Sequence, residues 1–213
     1  MDPHPQANEP TLAIDGVHRG FRGTTVLREV NLEAAGGERV ALTGPNGSGK
    51  TTLLRCIAGS LTVQDGRILV EGALAGSMSA RQTTGSSLAQ DRSFYQRLTG
   101  QANLDFYARL RLKSRREAAA QVKELTEELH LGDIIRRRMD RCSSGMVQQI
   151  AFARALLGAP RLLLLDEPTR SMDSDAIERF WDSLERRADL TVLIATHRPE
   201  DVERCGRVLE FPT

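Results

Sequence analysis

The chain has 213 residues, 40% of them hydrophobic and 27% charged, which is enough for one well-buried core and too few for two full-sized domains. Lys and Arg number 29 against 28 Asp and Glu, and the formal net charge of +1 offers no global excess to draw the protein to nucleic acid or anionic lipid. No stretch approaches the roughly 18 apolar residues of a membrane span, and Cys56, Cys142 and Cys205 have neither the CxxC spacing of structural zinc nor the even count of a disulfide framework, which points to a reducing compartment.

Residues 1–10, MDPHPQANEP, lack the basic-then-apolar order of a signal peptide and read as a frayed polar tail. From Thr11 the chain turns strand-like, Leu12 and Ile14 alternating with Ala13 and Asp15, and the turn-rich RGFRGTT predicts an antiparallel meander. ERVALTG then predicts a short buried strand, GPNGSGKTT a loop and LLRCIAG a helix, with another strand at Arg67–Val70. Between about 91 and 142 the period becomes helical. Ser114 and Glu117 form a capping box, Ala118, Val122, Leu125 and Leu129 share a face, and Gly132 is the expected stop. A further helix from Ser144 puts Met146, Ile150, Ala153 and Leu157 on one face and ends at Gly158. Four leucines, Leu162–Leu165, suit a parallel strand covered on both faces. A helix with Ile177, Phe180, Trp181 and Leu184 inward, the strand TVLIAT, and a short helix and strand complete an α/β pattern.

Gly44–Thr51, GPNGSGKT, satisfies G-x-x-x-x-G-K-[ST] between strand and helix, the context of a phosphate-binding loop and not of a mere glycine-rich surface turn. Gly44, Gly47 and Gly49 can take backbone angles closed to other residues, turning successive N–H groups inward as an anion nest. Lys50 would face the β and γ phosphates of a bound nucleotide, and the Thr51 hydroxyl could hold Mg²⁺. At the end of the leucine strand, Asp166 could join the Mg²⁺ shell and Glu167 could orient and deprotonate water.

With those motifs in place the chain resembles the ATP-binding domain of an ABC transporter, over essentially Thr11–Phe211. The resemblance implies a P-loop NTPase core with a parallel sheet, built from residues 11–90 and 143–213 together with an antiparallel β subdomain, and a helical subdomain at 91–142. It implies adenine stacking on Phe21 with Val26 beside it, an ordinary core aromatic being the alternative for Phe21. Gly44, Pro45, Asn46, Gly47, Ser48, Gly49, Lys50, Thr51 and Thr52 would hold the phosphates. Gln90 would touch Mg²⁺ and the attacking water, and His197 would reach the γ-phosphate. Ser143, Ser144, Gly145 and Asp173 would cover ATP bound to a second copy, in a head-to-tail homodimer or heterodimer.

The signature segment departs from the family's LSGGQ, with Cys142 for leucine and Ser144 for the first glycine, whose N–H approaches the opposing γ-phosphate. This S-S-G-M form and the stretch DRSFYQRLTGQANLDFYARL resemble exporter ATPases that serve separate membrane subunits. The resemblance thus implies an ATPase bound to the inner face of the cell membrane, docked on an integral membrane permease near Gln90, Phe94 and Tyr95, with no nucleic-acid partner. A soluble ABC ATPase of an assembly process such as iron–sulfur cluster building, and an ATP-gated clamp with low turnover, are the alternatives. Residues 109–141 hold ten Lys or Arg and six Asp or Glu, a local basic bias read as a solvated helix face ahead of lipid contact.

Overall fold

The computed structural model describes residues 10–88 and 94–212. Strands β1 (Leu12–Phe21) and β2 (Thr24–Ala34) form an antiparallel hairpin, and β4 (Asp65–Val70) and β5 (Ala73–Leu74) extend it into a sheet of order β2-β1-β4-β5. A second sheet is parallel throughout. It takes β3 (Arg39–Thr43), β6 (Thr84–Ser87), β7 (Leu162–Asp166), β8 (Thr191–Ala195) and β9 (Arg207–Glu210) in the order β6-β7-β8-β3-β9. Parallel order aligns all the strand C-termini along one edge, which is where ligands gather in open α/β sheets.

The leucine run shows why this sheet is central. Side chains alternate across a strand, so Leu163 and Leu165 enter the apolar cluster built with the helices, while Leu162 and Leu164 enter the cluster that includes the antiparallel sheet. All four are fully buried, each contributing about 1.5–3 kcal/mol of transfer free energy. In β8, Val192 and Ile194 divide from Leu193 and Ala195 in the same way.

Helix α1 (Lys50–Ile57) follows β3, and α2 (Met78–Thr83) leads into β6. Helices α3 (Gly100–Arg111) and α4 (Arg115–Glu128) pack on each other, the second opened by the expected capping box, in which Ser114 Oγ accepts the Glu117 N–H and the Glu117 carboxylate accepts the Ser114 N–H. Gly132 is not the stop. The chain leaves α4 at His130, whose φ of 53° is left-handed, and the Leu131 N–H bonds back to the Thr126 carbonyl, closing a Schellman turn with the buried Leu131 as its apolar plug.

Helix α5 (Ser144–Leu156) also departs from the one-faced expectation, because Gln149 through Leu156 are all buried between the sheet and α3. Helices α6 (Ser174–Glu185) and α7 (Pro199–Glu203) flank β8. Phe180 and Trp181 of α6 stack edge to face at 5.2 Å, and Phe152 of α5 lies 4.5 Å from Phe180. Cys56, Cys142 and Cys205 are free thiols, and burial pushes each above the ordinary range, Cys205 to about 11.

Candidate functional site

The segment between β3 and α1 is held by backbone geometry. Gly44, Gly47 and Gly49 have φ of 128°, 83° and 109°, angles that side chains rarely adopt. A Cβ on Gly49 would stand 2.9 Å from the Val26 carbonyl, and one on Gly44 would stand 2.6 Å from the Phe211 carbonyl, so the loop is clasped on both flanks by backbone. Lys50 is 7% exposed and its Nζ donates to the Gly44 and Pro45 carbonyls at 2.7 and 2.8 Å, with Ser48 Oγ at 3.5 Å. Burial pushes its pKa down, opposed by the charges of Glu167 and Asp166. Pro45, Asn46 and Gly47 face solvent, Thr51 and Thr52 are half-buried, and Phe21, at 41% exposure, is no core aromatic; the Arg19 guanidinium lies 4.7 Å from its ring centroid.

The ends of β7 and β8 meet this loop. Thr51 Oγ1 donates to Asp166 Oδ2 at 2.8 Å, and Asp166 is 7% exposed. Among the described residues no group of three or more His, Cys, Asp or Glu could cage a metal. An alcohol and a buried carboxylate at hydrogen-bond distance are instead the all-oxygen pair that suits Mg²⁺ shared with phosphate oxygens.

Glu167 is next, with its carboxylate Oε1 3.4 Å from His197 Nε2. Burial raises the Glu167 pKa above the ordinary carboxylate range, with His197 opposing the shift. Its φ is 50°, and both backbone groups are tied down: the N–H donates to the Ala195 carbonyl at 2.8 Å and the carbonyl accepts from Gln148 Nε2 at 3.1 Å.

The structure brings Ser143, Ser144, Gly145 and Asp173 into a second group. Ser143 and Asp173 are the N-caps of α5 and α6, accepting the Met146 and Ala176 N–H groups at 3.3 and 2.8 Å. Ser144 is exposed on the first turn of α5, and a Cβ on Gly145 would fall 2.2 Å from the Ser171 carbonyl. Gln90 lies outside the described residues.

Two supports escaped the sequence reading. Gln148 also accepts the Ser171 N–H at 3.0 Å, and Asp201, 1% exposed, takes the hydroxyls of Thr169 and Thr196 on one carboxylate oxygen at 2.5 and 3.0 Å. Neither has a local signal: a glutamine in a helix and an acid in the first turn of another are ordinary. Beside Glu167 a cavity of about 400 Å³ opens, lined by Phe94, Gln148, Arg154, Asp166 and Arg170 among others. Arg154 sits over the rings of Phe94 and Tyr107, at 4.4 and 5.1 Å.

Residues 27–170 match the model of the ABC transporter family. The chain is 34% identical to the uncharacterized ABC transporter ATP-binding protein YdbJ of Bacillus subtilis, covering 94% of this chain and 66% of YdbJ, so it spans just under two thirds of that relative. It is 37% identical to the lipoprotein-releasing system ATP-binding protein LolD of Anaeromyxobacter dehalogenans, over 95% of this chain and 90% of LolD. ATP-binding proteins of sulfate and iron(III) import systems are further relatives. A dimeric ATP-binding cassette solved in a post-hydrolysis state with ADP and Pi superposes with a TM-score of 0.83 at 22% identity, covering 94% of each chain. The chain belongs to the ABC transporter family and is one of its ATP-binding, ATPase domains.

Proposed function

We propose that this domain powers export through a separate integral membrane permease, on the cytoplasmic face of the membrane and as a head-to-tail dimer. The observation that carries it is the convergence of Lys50, Asp166, Glu167 and His197 at the ends of the three adjacent strands β3, β7 and β8. ATP would lie on Gly44–Thr52, with the adenine against Phe21 and Val26. Thr51 and Asp166, joined by Gln90, would hold Mg²⁺, which neutralises phosphate charge when bound. Glu167 takes the proton of the attacking water, and Lys50 and His197 stabilise charge on the transferring phosphoryl. Ser143, Ser144, Gly145 and Asp173 of the second subunit cover the nucleotide. Closure around ATP and opening after hydrolysis would then drive the permease.

Permease docking is supported by an exposed apolar patch beside the cavity: Tyr95 and Phe106 stack edge to face at 5.2 Å and are 50% and 39% exposed, with Leu98 at 44% and Leu110 at 68%. Among the described residues no helix is long and apolar enough to cross a membrane. Export is supported by LolD, matched over nearly its whole length and named for lipoprotein release. The test is Glu167→Gln, which keeps size and hydrogen bonding without accepting a proton. Hydrolysis is expected to fall by about 10²–10⁴ while ATP binding survives and a closed dimer accumulates on gel filtration. Parental turnover would remove Glu167 from the base role. Co-purification of a hydrophobic subunit from the membrane fraction separates transport from a soluble assembly ATPase.

A further inference from the structure

Gln148, on α5, holds both ends of the turn that follows β7. Its amide nitrogen donates to the Glu167 carbonyl at 3.1 Å and its amide oxygen accepts the Ser171 N–H at 3.0 Å, an orientation fixed by one partner being an acceptor and the other a donor. We propose that Gln148 is a positioning residue for hydrolysis, holding the Glu167 backbone in its left-handed conformation and coupling the aim of that carboxylate to the N-terminus of α5. The proposal rests on Glu167 acting as the base.

The backbone at Glu167 needs a restraint. A non-glycine residue at φ 50° sits in a sparsely populated region, and the following Pro168 biases its predecessor toward extended structure. Such a conformation persists only where the surroundings over-determine it. One restraint is the Glu167 N–H bond to the Ala195 carbonyl in β8, at 2.8 Å. The carbonyl has two donors, the Arg170 N–H within the turn at 3.4 Å and the Gln148 amide at 3.1 Å. Without Gln148 only the longer Arg170 bond holds the Glu167 carbonyl, which can swing toward the extended form and carry the Cα–Cβ bond and the carboxylate away from His197.

The same side chain fixes a second junction. Gly145 lies flush against Ser171, where a Cβ would stand 2.2 Å from the Ser171 carbonyl, and the Ser171 N–H is held by Gln148. The first turn of α5, the Ser171 loop and Glu167 therefore move as one piece. In the proposed dimer, Ser143–Gly145 meets the ATP of the partner while Glu167 works on the ATP of its own subunit. Gln148 thus ties the clamp over one nucleotide to the base at the other.

The experiment uses two variants of the full chain in steady-state ATPase assays, with ATP binding measured by calorimetry. Gln148→Met keeps length and volume but removes both bonds. Gln148→Glu keeps the acceptor for Ser171 and puts a carboxylate against the Glu167 carbonyl. Both are expected to lower kcat about ten- to hundredfold with KM and ATP affinity within about threefold of the parent. A folded variant of either kind with parental kcat, or with raised KM and unchanged kcat, overturns the proposal. If Gln148→Met does not fold, Gln148→Glu decides; failure of both to fold makes Gln148 a folding residue and overturns it too. Glu167→Gln is assayed alongside. Loss of hydrolysis there with normal Gln148 variants overturns only the positioning role, whereas parental hydrolysis by Glu167→Gln overturns the base reading itself.

Discussion

The loop at Gly44–Gly49 and the turn at Asp166–Ser171 both leave central strands of one parallel sheet, yet they hold their shapes by different means. The first is set by three left-handed glycines and by carbonyls of its own chain neighbourhood, to which Lys50 returns across five and six residues. The second adds to its own backbone bonds two side chains from far along the chain: Gln148, 19 residues from Glu167, and Asp201, 32 residues from Thr169. A loop shaped by its own glycines is disabled most directly through the groups that meet the ligand. A turn braced from outside can be disabled by residues that never meet it.

The comparison breaks most sharply at Lys50. Lys50→Ala leaves the three glycines in place but deletes the charge and its bonds to the Gly44 and Pro45 carbonyls, so the loop should lose its ligand. Charge-assisted hydrogen bonds of roughly 1.5–3 kcal/mol translate into up to about a hundredfold loss of ATP–Mg²⁺ affinity, read by calorimetry. Unchanged affinity would contradict the loop assignment.

On the braced side, Asp201→Ala leaves the Thr169 and Thr196 hydroxyls, each 1% exposed, without their acceptor. A loss of about 1–3 kcal/mol is expected, seen as a lower denaturant midpoint at constant slope. Asp201→Asn retains an oxygen for both hydroxyls and should recover most of it; equal damage from the two substitutions would show that the charge, and not the acceptor, is what matters.

The raised pKa of Glu167 gives a third test. A base works as carboxylate, so kcat/KM, which reports the free protein, should fall with acidification through a limb lying above the ordinary carboxylate range. Because the folded-state value exceeds the unfolded one, the ionised group destabilises the fold at pH above that limb and not below the unfolded value. Glu167→Gln should therefore raise the melting temperature at neutral pH and leave it unchanged in acid. A limb at the ordinary position would argue against a buried base.

The smallest effect is expected at Ser144, exposed at the tip of α5. Ser144→Gly should leave saturated turnover within about threefold. A gain of tenfold, equivalent to about 1.4 kcal/mol of relief, would mean that the side chain crowds a nucleotide in the partner and would favour a slow ATP-gated clamp.

Legibility in the sequence follows the same divide. GPNGSGKT declares itself because glycine positions, lysine and threonine are consecutive and their roles need no other segment. The leucine run announced a strand covered on both faces, and the clusters on its two sides explain why no polar alternation was possible. The stop of α4 was misplaced at Gly132 because a histidine in the left-handed position leaves no compositional mark, while glycine is the residue usually found there. Gln148 and Asp201 were invisible for a stronger reason. Their partners are chosen by tertiary approach, and before folding a buried brace and a solvated polar residue are spelled alike.

The carbonyl of Phe211 behind Gly44 sets an order of failure. Among the described residues strand β9 has only β3 as a neighbour, and its last tie is the bond from the Phe211 N–H to the Thr43 carbonyl at 2.9 Å. Peeling that edge strand leaves β7, β8 and β3 paired, but it strips the backing from the first glycine of the loop. Stepwise denaturation from this side would thus empty the nucleotide seat while the central sheet still scatters and absorbs as folded protein, so nucleotide release is the early alarm of unfolding.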